Sequence, residues 1–166
     1  PTVPMVLDPF TGERRESCQG DIERAALLCD ALPNIDYVMS MGLSGGSDPA
    51  RHGMHPEFTD RLDFAAMLRH TVKPIIFSAW SLQGLRDIHD MAAAVAGGAQ
   101  SLALRPFAIN YSEPTSPLVH NPASLEKLLF CAEKRMPLLY MGGPLAGGTA
   151  PVTMAGQLVV SNAECL

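Results

Sequence analysis

The strongest constraint in this sequence is an alternation. Short apolar runs take turns with stretches whose apolar residues recur every three or four positions. GDIERAALLCDAL (20–32) puts Ile22, Ala25, Ala26, Cys29 and Leu32 in helical phase, with Asp21 or the residue before it as the expected cap. FTDRLDFAAMLRHT (58–71) does the same with Leu62, Ala65, Ala66 and Arg69. SLQGLRDIHDMAAAVAGG (81–98) is a helix closed by Gly97 and Gly98. NPASLEKLLFCAEKRM (121–136) has Asn121 as cap, Pro122 at its first position and Leu125, Leu128, Leu129 and Ala132 as its apolar face. TMAGQLVVSNAECL (153–166) opens another helix. The runs NIDYVMSMG (34–42), KPIIFSAW (73–80), QSLALRPFAINY (100–111) and PLLYMGG (137–143) read as strands.

Strand–helix–strand order means parallel strands joined by helical crossovers. The strands show no alternation of apolar and polar residues, which predicts burial on both faces. The class is therefore α/β, built of parallel βα repeats. A doubly wound sheet and a (β/α)8 barrel both satisfy it. No G-x-G-x-x-G follows the first strand, so the dinucleotide-binding version has no support. Four βα units are about half of a TIM barrel of roughly 250 residues. The 166-residue chain starts at Pro1 and stops inside a helical pattern at Leu166, which reads as a fragment. Residues 1–17 contain VLDPFTGERRES and read as a lead-in hairpin or linker turning at Thr11-Gly12, ahead of a partial barrel domain over 18–166.

Composition removes several function classes. The net charge is -5 and no basic stripe is present, which argues against nucleic acid. No apolar stretch reaches the roughly 18 residues of a membrane span. The N-terminus lacks the basic start and apolar core of a secretion signal. Cys18, Cys29, Cys131 and Cys165 form no C-x-x-C pair, and Cys29 and Cys131 read as small core residues. A reducing, cytoplasmic setting is the expectation.

In both parallel architectures ligands bind beyond the C-terminal ends of the strands. That rule selects four loops: the long LSGGSDPARHGMHPEFTD, the turn starting at Ser78-Ala79-Trp80, NYSEPTSPLVH (110–120), and YMGGPLAGGTAPVTMAG (140–156). In the fourth, Gly142, Gly143, Gly147 and Gly148 are able to aim backbone N–H groups at a ligand, or they serve only as turn residues. The loop has neither the lysine nor the spacing of a P-loop. Glu113 stands just past the third strand, where a carboxylate serves as acid, base or cation partner. Trp80, Tyr111 and Tyr140 sit at or near strand ends; with Glu113 they make an aromatic, acidic site for an ammonium group, while each taken singly reads as core. His52 and His55, near Asp48 and Glu57, do not match H-E-x-x-H, and no metal is expected. His120 follows the third strand; His70 and His89 read as surface residues of helices.

SEPTSPLVHNPASLEKLLFCAEKRMPLLYMGGPLAGGTAPVTMAGQLVVSNAECL, with DIERAALLCDALPNIDYV and HPEFTDR before it, resembles the trimethylamine methyltransferase family over nearly the whole chain. The resemblance implies a (β/α)8 barrel within a longer chain. It implies methyl transfer from a methylated amine, of trimethylamine or glycine betaine type, to the Co(I) of a corrinoid carried by a partner protein, as in methanogenesis and methylamine metabolism. On that basis Trp80, Glu113, Tyr111 and Tyr140 are the expected substrate contacts. Gly142, Gly143, Gly147, Gly148 and Thr149 form the expected corrinoid-facing loop. No catalytic residue carries over, because the family's pyrrolysine position lies downstream of the matched segment. The isolated piece is expected to be inactive. Two other readings stand beside this one: a non-catalytic half-barrel that self-associates as a homo-oligomer or docks a corrinoid protein, and an unrelated barrel enzyme binding phosphate on the glycine loop. A Schiff-base aldolase is disfavoured, since Lys73 is the one strand lysine and begins its strand.

Overall fold

The computed structural model describes residues 5–40 and 43–166, and the side chains of Arg51 and His52 fall outside that description. A hairpin of β1 (Met5–Leu7) and β2 (Arg14–Glu16) comes first. The Asp8 carboxylate shapes its turn by accepting from the Phe10 and Thr11 amides, both at 2.9 Å, and Gly12 supplies a left-handed φ of 74°. The chain continues as α1 (Gln19–Ala31), β3 (Val38–Met39), two 3₁₀ turns (Pro49–His52 and Pro56–Phe58), α2 (Thr59–His70) and β4 (Ile75–Ser78). Then come α3 (Leu82–Ala96), α4 (Ala99–Leu104), β5 (Ala108–Ser112), α5 (Pro122–Lys134), β6 (Leu138–Tyr140) and α6 (Met154–Cys165).

Strands β3 to β6 form one parallel sheet in sequential order, with no reversal of direction along it. The register aligns Val38, Ile75 and Ala108 in one row and Phe77, Asn110 and Leu138 in another, and pairs Ser112 with Tyr140. Residues paired in register share a sheet face. This face is covered: Val38, Ile75, Phe77 and Ala108 join Ile22, Ala26, Phe64, Met67, Leu85, Ile88 and Cys131 in the core. The other face carries Met39, Ile76, Ser78, Ile109, Tyr111 and Leu139, of which only Ile76 is buried. The sheet is thus covered by helices on one side, not buried on both as the apolar runs suggest.

Several local expectations change. The segment 100–111 is not one strand: Ala99–Leu104 is a short helix, started after Gly97 and Gly98 take φ of 81° and 128°. The cap of α1 is Cys18, while Asp21 sits at its third position and accepts from the Cys18 amide at 3.0 Å. Arg15 and Arg24 bind the same carboxylate at 2.7 and 2.6 Å, and Arg15 above all holds it well below the usual carboxylate pKa. On α2 the buried side is Thr59, Asp60, Asp63, Phe64, Ala66 and Met67, with Arg69 exposed. On α5, Ser124 and Cys131 are buried while Leu125, Leu129 and Ala132 face out. His89 is buried at 5% exposure, its ring edge-on to Phe130, and is not a surface residue. The expected end of the first strand, at Met41 and Gly42, lies outside the described residues. No helix among the described residues is long and apolar enough to cross a membrane.

Candidate active-site cleft

A cleft of about 540 Å³ opens at the C-terminal ends of β4, β5 and β6. Trp80, Tyr111, Glu113, Gly143 and Thr149 all line it, together with Ser112 and Lys127. The structure thus brings together residues of the second, third and fourth predicted loops. Tyr140, Gly142, Gly147 and Gly148 are not in its lining.

Tyr140 does not line the cleft, because its side chain is engaged by His120. It pairs with Ser112, one residue off Tyr111, so the two tyrosines leave the sheet on opposite faces. Its hydroxyl meets His120 Nδ1 at 2.9 Å, and the two rings stack. Tyr111 instead donates to Glu113 Oε2 at 2.7 Å. Burial, then that carboxylate bond, push the Tyr111 phenol up to about 12, so near neutral pH it is a donor and never a phenolate.

Trp80 is positioned by the helix that precedes its strand. Its amide donates to Asp60 Oδ2 and its indole to Thr59 Oγ1, both at 2.9 Å. The ring remains half exposed. Asp60 also accepts from the Arg61 side chain at 3.1 Å, and Arg61 reaches on to Asp87 at 2.7 Å. A Cβ on Gly84 of α3 would overlap Asp60 Oδ2, so this glycine is what lets the buried carboxylate reach the strand end.

The third and fourth loops share one design. After β5, Thr115 and Val119 close a tight loop through two bonds of 2.7 and 3.0 Å. After β6, Ala146 and Ala150 bracket a second, held by Gly147 N–H to the Ala150 carbonyl at 2.9 Å and Gly148 N–H to the Leu145 carbonyl at 3.0 Å. A buried proline, Pro114 or Pro144, precedes each. The Gly147 and Gly148 amides are therefore already engaged within their own turn. Gly147 has a φ of 77° and needs to be glycine, whereas Gly148 has ordinary space around it. Thr149 fixes the loop by accepting from the Leu145 amide at 2.9 Å.

Gly142 answers a different need. A Cβ there would overlap Glu164 Oε2 and stand 3.0 Å from its Cδ. Glu164 of α6, 1% exposed, accepts from Ser116 Oγ at 2.8 Å and the Leu118 amide at 3.0 Å. It joins the third loop to the start of the fourth across the bare backbone of Gly142. The sequence signal was present as the paired glycines after a strand, but nothing in it named the partner.

None of the described residues of the first loop lines the cleft. Asp63 of α2 holds that loop by accepting from the Ser44 amide at 3.0 Å and from the Ser44 hydroxyl. Burial is the main cause that pushes the Asp63 carboxyl up to about 6. His55 caps the second 3₁₀ turn through the Glu57 amide. Lys73 donates to the Cys29 and Leu32 carbonyls at 2.7 and 2.6 Å, sealing the end of α1.

The sequence profile described as trimethylamine methyltransferase (MTTB) matches residues 2–166. A trimethylamine methyltransferase MttB of Desulfitobacterium hafniense is 31% identical over 163 residues, which is 97% of this chain and 31% of that protein. One from Methanosarcina barkeri is 30% identical over 154 residues, 91% of this chain and 30% of that protein. A glycine betaine methyltransferase of Desulfitobacterium hafniense is 27% identical over 156 residues, 93% of this chain and 31% of that protein. The chain spans about a third of the length of these curated relatives. A profile that runs from the lead-in hairpin through the last helix leaves one assignment: the chain belongs to the trimethylamine methyltransferase family.

Proposed function

We propose that this chain is part of a corrinoid-dependent methyltransferase that takes its methyl group from a methylated amine of trimethylamine or glycine betaine type. The observation that carries the reading is the convergence of Trp80, Tyr111 and Glu113 on one cleft at the strand ends. An aromatic face and a carboxylate are the groups that attract an alkylated ammonium. The open sheet face with Met39, Ile109 and Leu139 is the inner wall of a (β/α)8 barrel in this reading, and residues 18–166 are about half of it.

The corrinoid, carried by a partner protein as co-substrate, supplies a nucleophilic Co(I) that takes the methyl while the C–N electron pair leaves with the amine. A quaternary amine departs neutral, so the cleft needs no acid for it. Its task is to hold and desolvate the cation with one methyl turned outward. Glu113, kept in place by Tyr111, supplies the counter-charge. The loop of Gly147, Gly148 and Thr149 stands at the rim, where a bulky acceptor would approach.

The test is methyl transfer by the full-length protein from trimethylamine and from glycine betaine to a reduced corrinoid protein, followed by the cobalt absorption change. Transfer from either supports the proposal, and transfer from neither refutes it. The expected inactivity of residues 1–166 alone is checked in the same assay.

A further inference from the structure

The peptide between Ala79 and Trp80 is held by a charge at each end. Its N–H, the Trp80 amide, donates to Asp60 Oδ2 of α2 at 2.9 Å, and its carbonyl, that of Ala79, accepts from Lys127 Nζ of α5 at 3.0 Å. An anion on the N–H and a cation on the C=O reinforce one peptide dipole, and each such bond is roughly twice as strong as a neutral one. The arrangement is costly. The Asp60 side chain is fully buried, and Lys127 is half-buried with no ion pair among the described residues. A neutral donor would satisfy the Ala79 carbonyl without the desolvation that pulls the Lys127 pKa down. Satisfying a carbonyl therefore does not by itself account for a charged side chain here.

The Trp80 ring has its own tie. Thr59 Oγ1 donates to the Pro56 carbonyl at 2.9 Å, which leaves its lone pairs to accept the indole N–H, also at 2.9 Å. Among the described residues, Trp80 is the one shared by the linings of the cleft and of a second, largely apolar cavity of about 310 Å³ formed with Leu43, Pro49 and Pro56. The ring is half exposed, so packing alone does not fix it, and the second cavity is space into which it can turn.

We propose that Lys127 and Asp60 are positioning residues: they clamp the Ala79–Trp80 peptide from two flanking helices and so keep the Trp80 ring as a wall of the cleft, out of the cavity behind it. The role deepens the proposed function and rests on it, since a cation–π contact needs the cation within about 6 Å of the ring centroid. Lys127 in this arrangement acts through Trp80.

The experiment is fluorine NMR of the full-length protein labelled with fluorotryptophan, without corrinoid, the Trp80 resonance being assigned through Trp80→Phe, followed by titration with tetramethylammonium. The unaltered protein should show one narrow Trp80 resonance. Lys127→Met should shift or split it and weaken tetramethylammonium about three- to tenfold, the share of a cation–π contact that a displaced ring gives up. Lys127→Arg, which keeps the charge and a donor, should preserve both. Lys127→Gln and Asp60→Asn, which remove a charge and keep a hydrogen-bonding group, should move the resonance by less, and they decide the matter if Lys127→Met does not fold. A Trp80 resonance that stays put in the folded variants, whatever their loss of stability, makes both side chains purely structural and overturns the proposal. An unchanged tetramethylammonium affinity beside a moved resonance overturns the clamp's part in binding. A moved resonance in a protein that binds no tetramethylammonium upholds the clamp and overturns the amine site.

Discussion

Gly142→Ala is the sharpest perturbation the structure offers. The backbone at Gly142 is not left-handed, so alanine brings no conformational strain of its own. The new methyl would instead overlap Glu164 Oε2 and stand 3.1 Å from the Glu164 Cβ. The carboxylate has to move, and moving it breaks the bonds to Ser116 Oγ and the Leu118 amide. A hydrogen bond to a charged group contributes about 1.5–3 kcal/mol, and two are lost here, so the expected loss is about 3–5 kcal/mol, short of the full sum because neighbouring terms are not additive. Gly143→Ala is the control, because nothing lies within 4 Å of its Cβ. Urea unfolding of the full-length protein measures both, and hydrogen exchange at the Leu118 amide reports the local break. A double-mutant cycle decides the cause: in a Glu164→Ala background, Gly142→Ala should lose most of its penalty. An equal penalty in both backgrounds, or Gly142→Ala as stable as Gly143→Ala, refutes the reasoning.

Other expectations follow from the same geometry. Asp63 has a folded pKa raised to about 6, so between about 4 and 6 the folded protein binds more protons than the unfolded one and this group's contribution falls as pH rises. Asp63→Asn, whose amide oxygen still accepts from Ser44, should add about 2–3 kcal/mol at pH 7.5 and almost nothing near pH 4, read from unfolding curves at the two pH values. Tyr111→Phe should raise the amine concentration for half-maximal transfer several-fold, and Tyr140→Phe, on the opposite sheet face, should leave it unchanged; equal effects would remove the face argument. Gly148→Val should abolish methyl transfer with the thermal unfolding midpoint unchanged, and transfer retained in a folded variant would take the loop out of the acceptor's path. Gly147→Val is a poorer probe, because its φ of 77° makes any side chain strained there.

The order of elements was legible because each strand and helix carries its own period, and Asn121-Pro122 and Gly97 mark ends by local chemistry. The segment 99–104 was not, because Leu102, Ala103 and Leu104 form an apolar run that reads equally as strand; Ala, Gln and Leu favour helix, and Arg105-Pro106 ends it. Asp60 and Asp63 were invisible to periodicity. A buried acid is acceptable when distant donors reach it, and the Trp80 and Ser44 amides come from loops 20 and 19 residues away. Trp80, Tyr111 and Glu113 were found by their place at strand ends. Tyr140 satisfied the same rule, yet the sheet register sends it to the other face, a parity that strand ends fixed only to within a few residues do not yield. Lys127 left no signal, since a lysine on an amphipathic helix is an ordinary residue until the fold brings it to the Ala79 carbonyl.

The two rim loops differ in how freely they can drift. Each is closed by its own bridge, so residues between Thr115 and Val119, or between Ala146 and Ala150, can change without disturbing the sheet. Ser116 and Leu118 are nonetheless tied to Glu164, whereas the described contacts of Gly147, Gly148 and Thr149 stay within their own loop. If the proposed function holds, the fourth loop is the natural place for substitutions that adapt the chain to a different acceptor, and an exchange of residues 147–149 between relatives should transplant that choice while the cleft of Trp80, Tyr111 and Glu113 stays as it is.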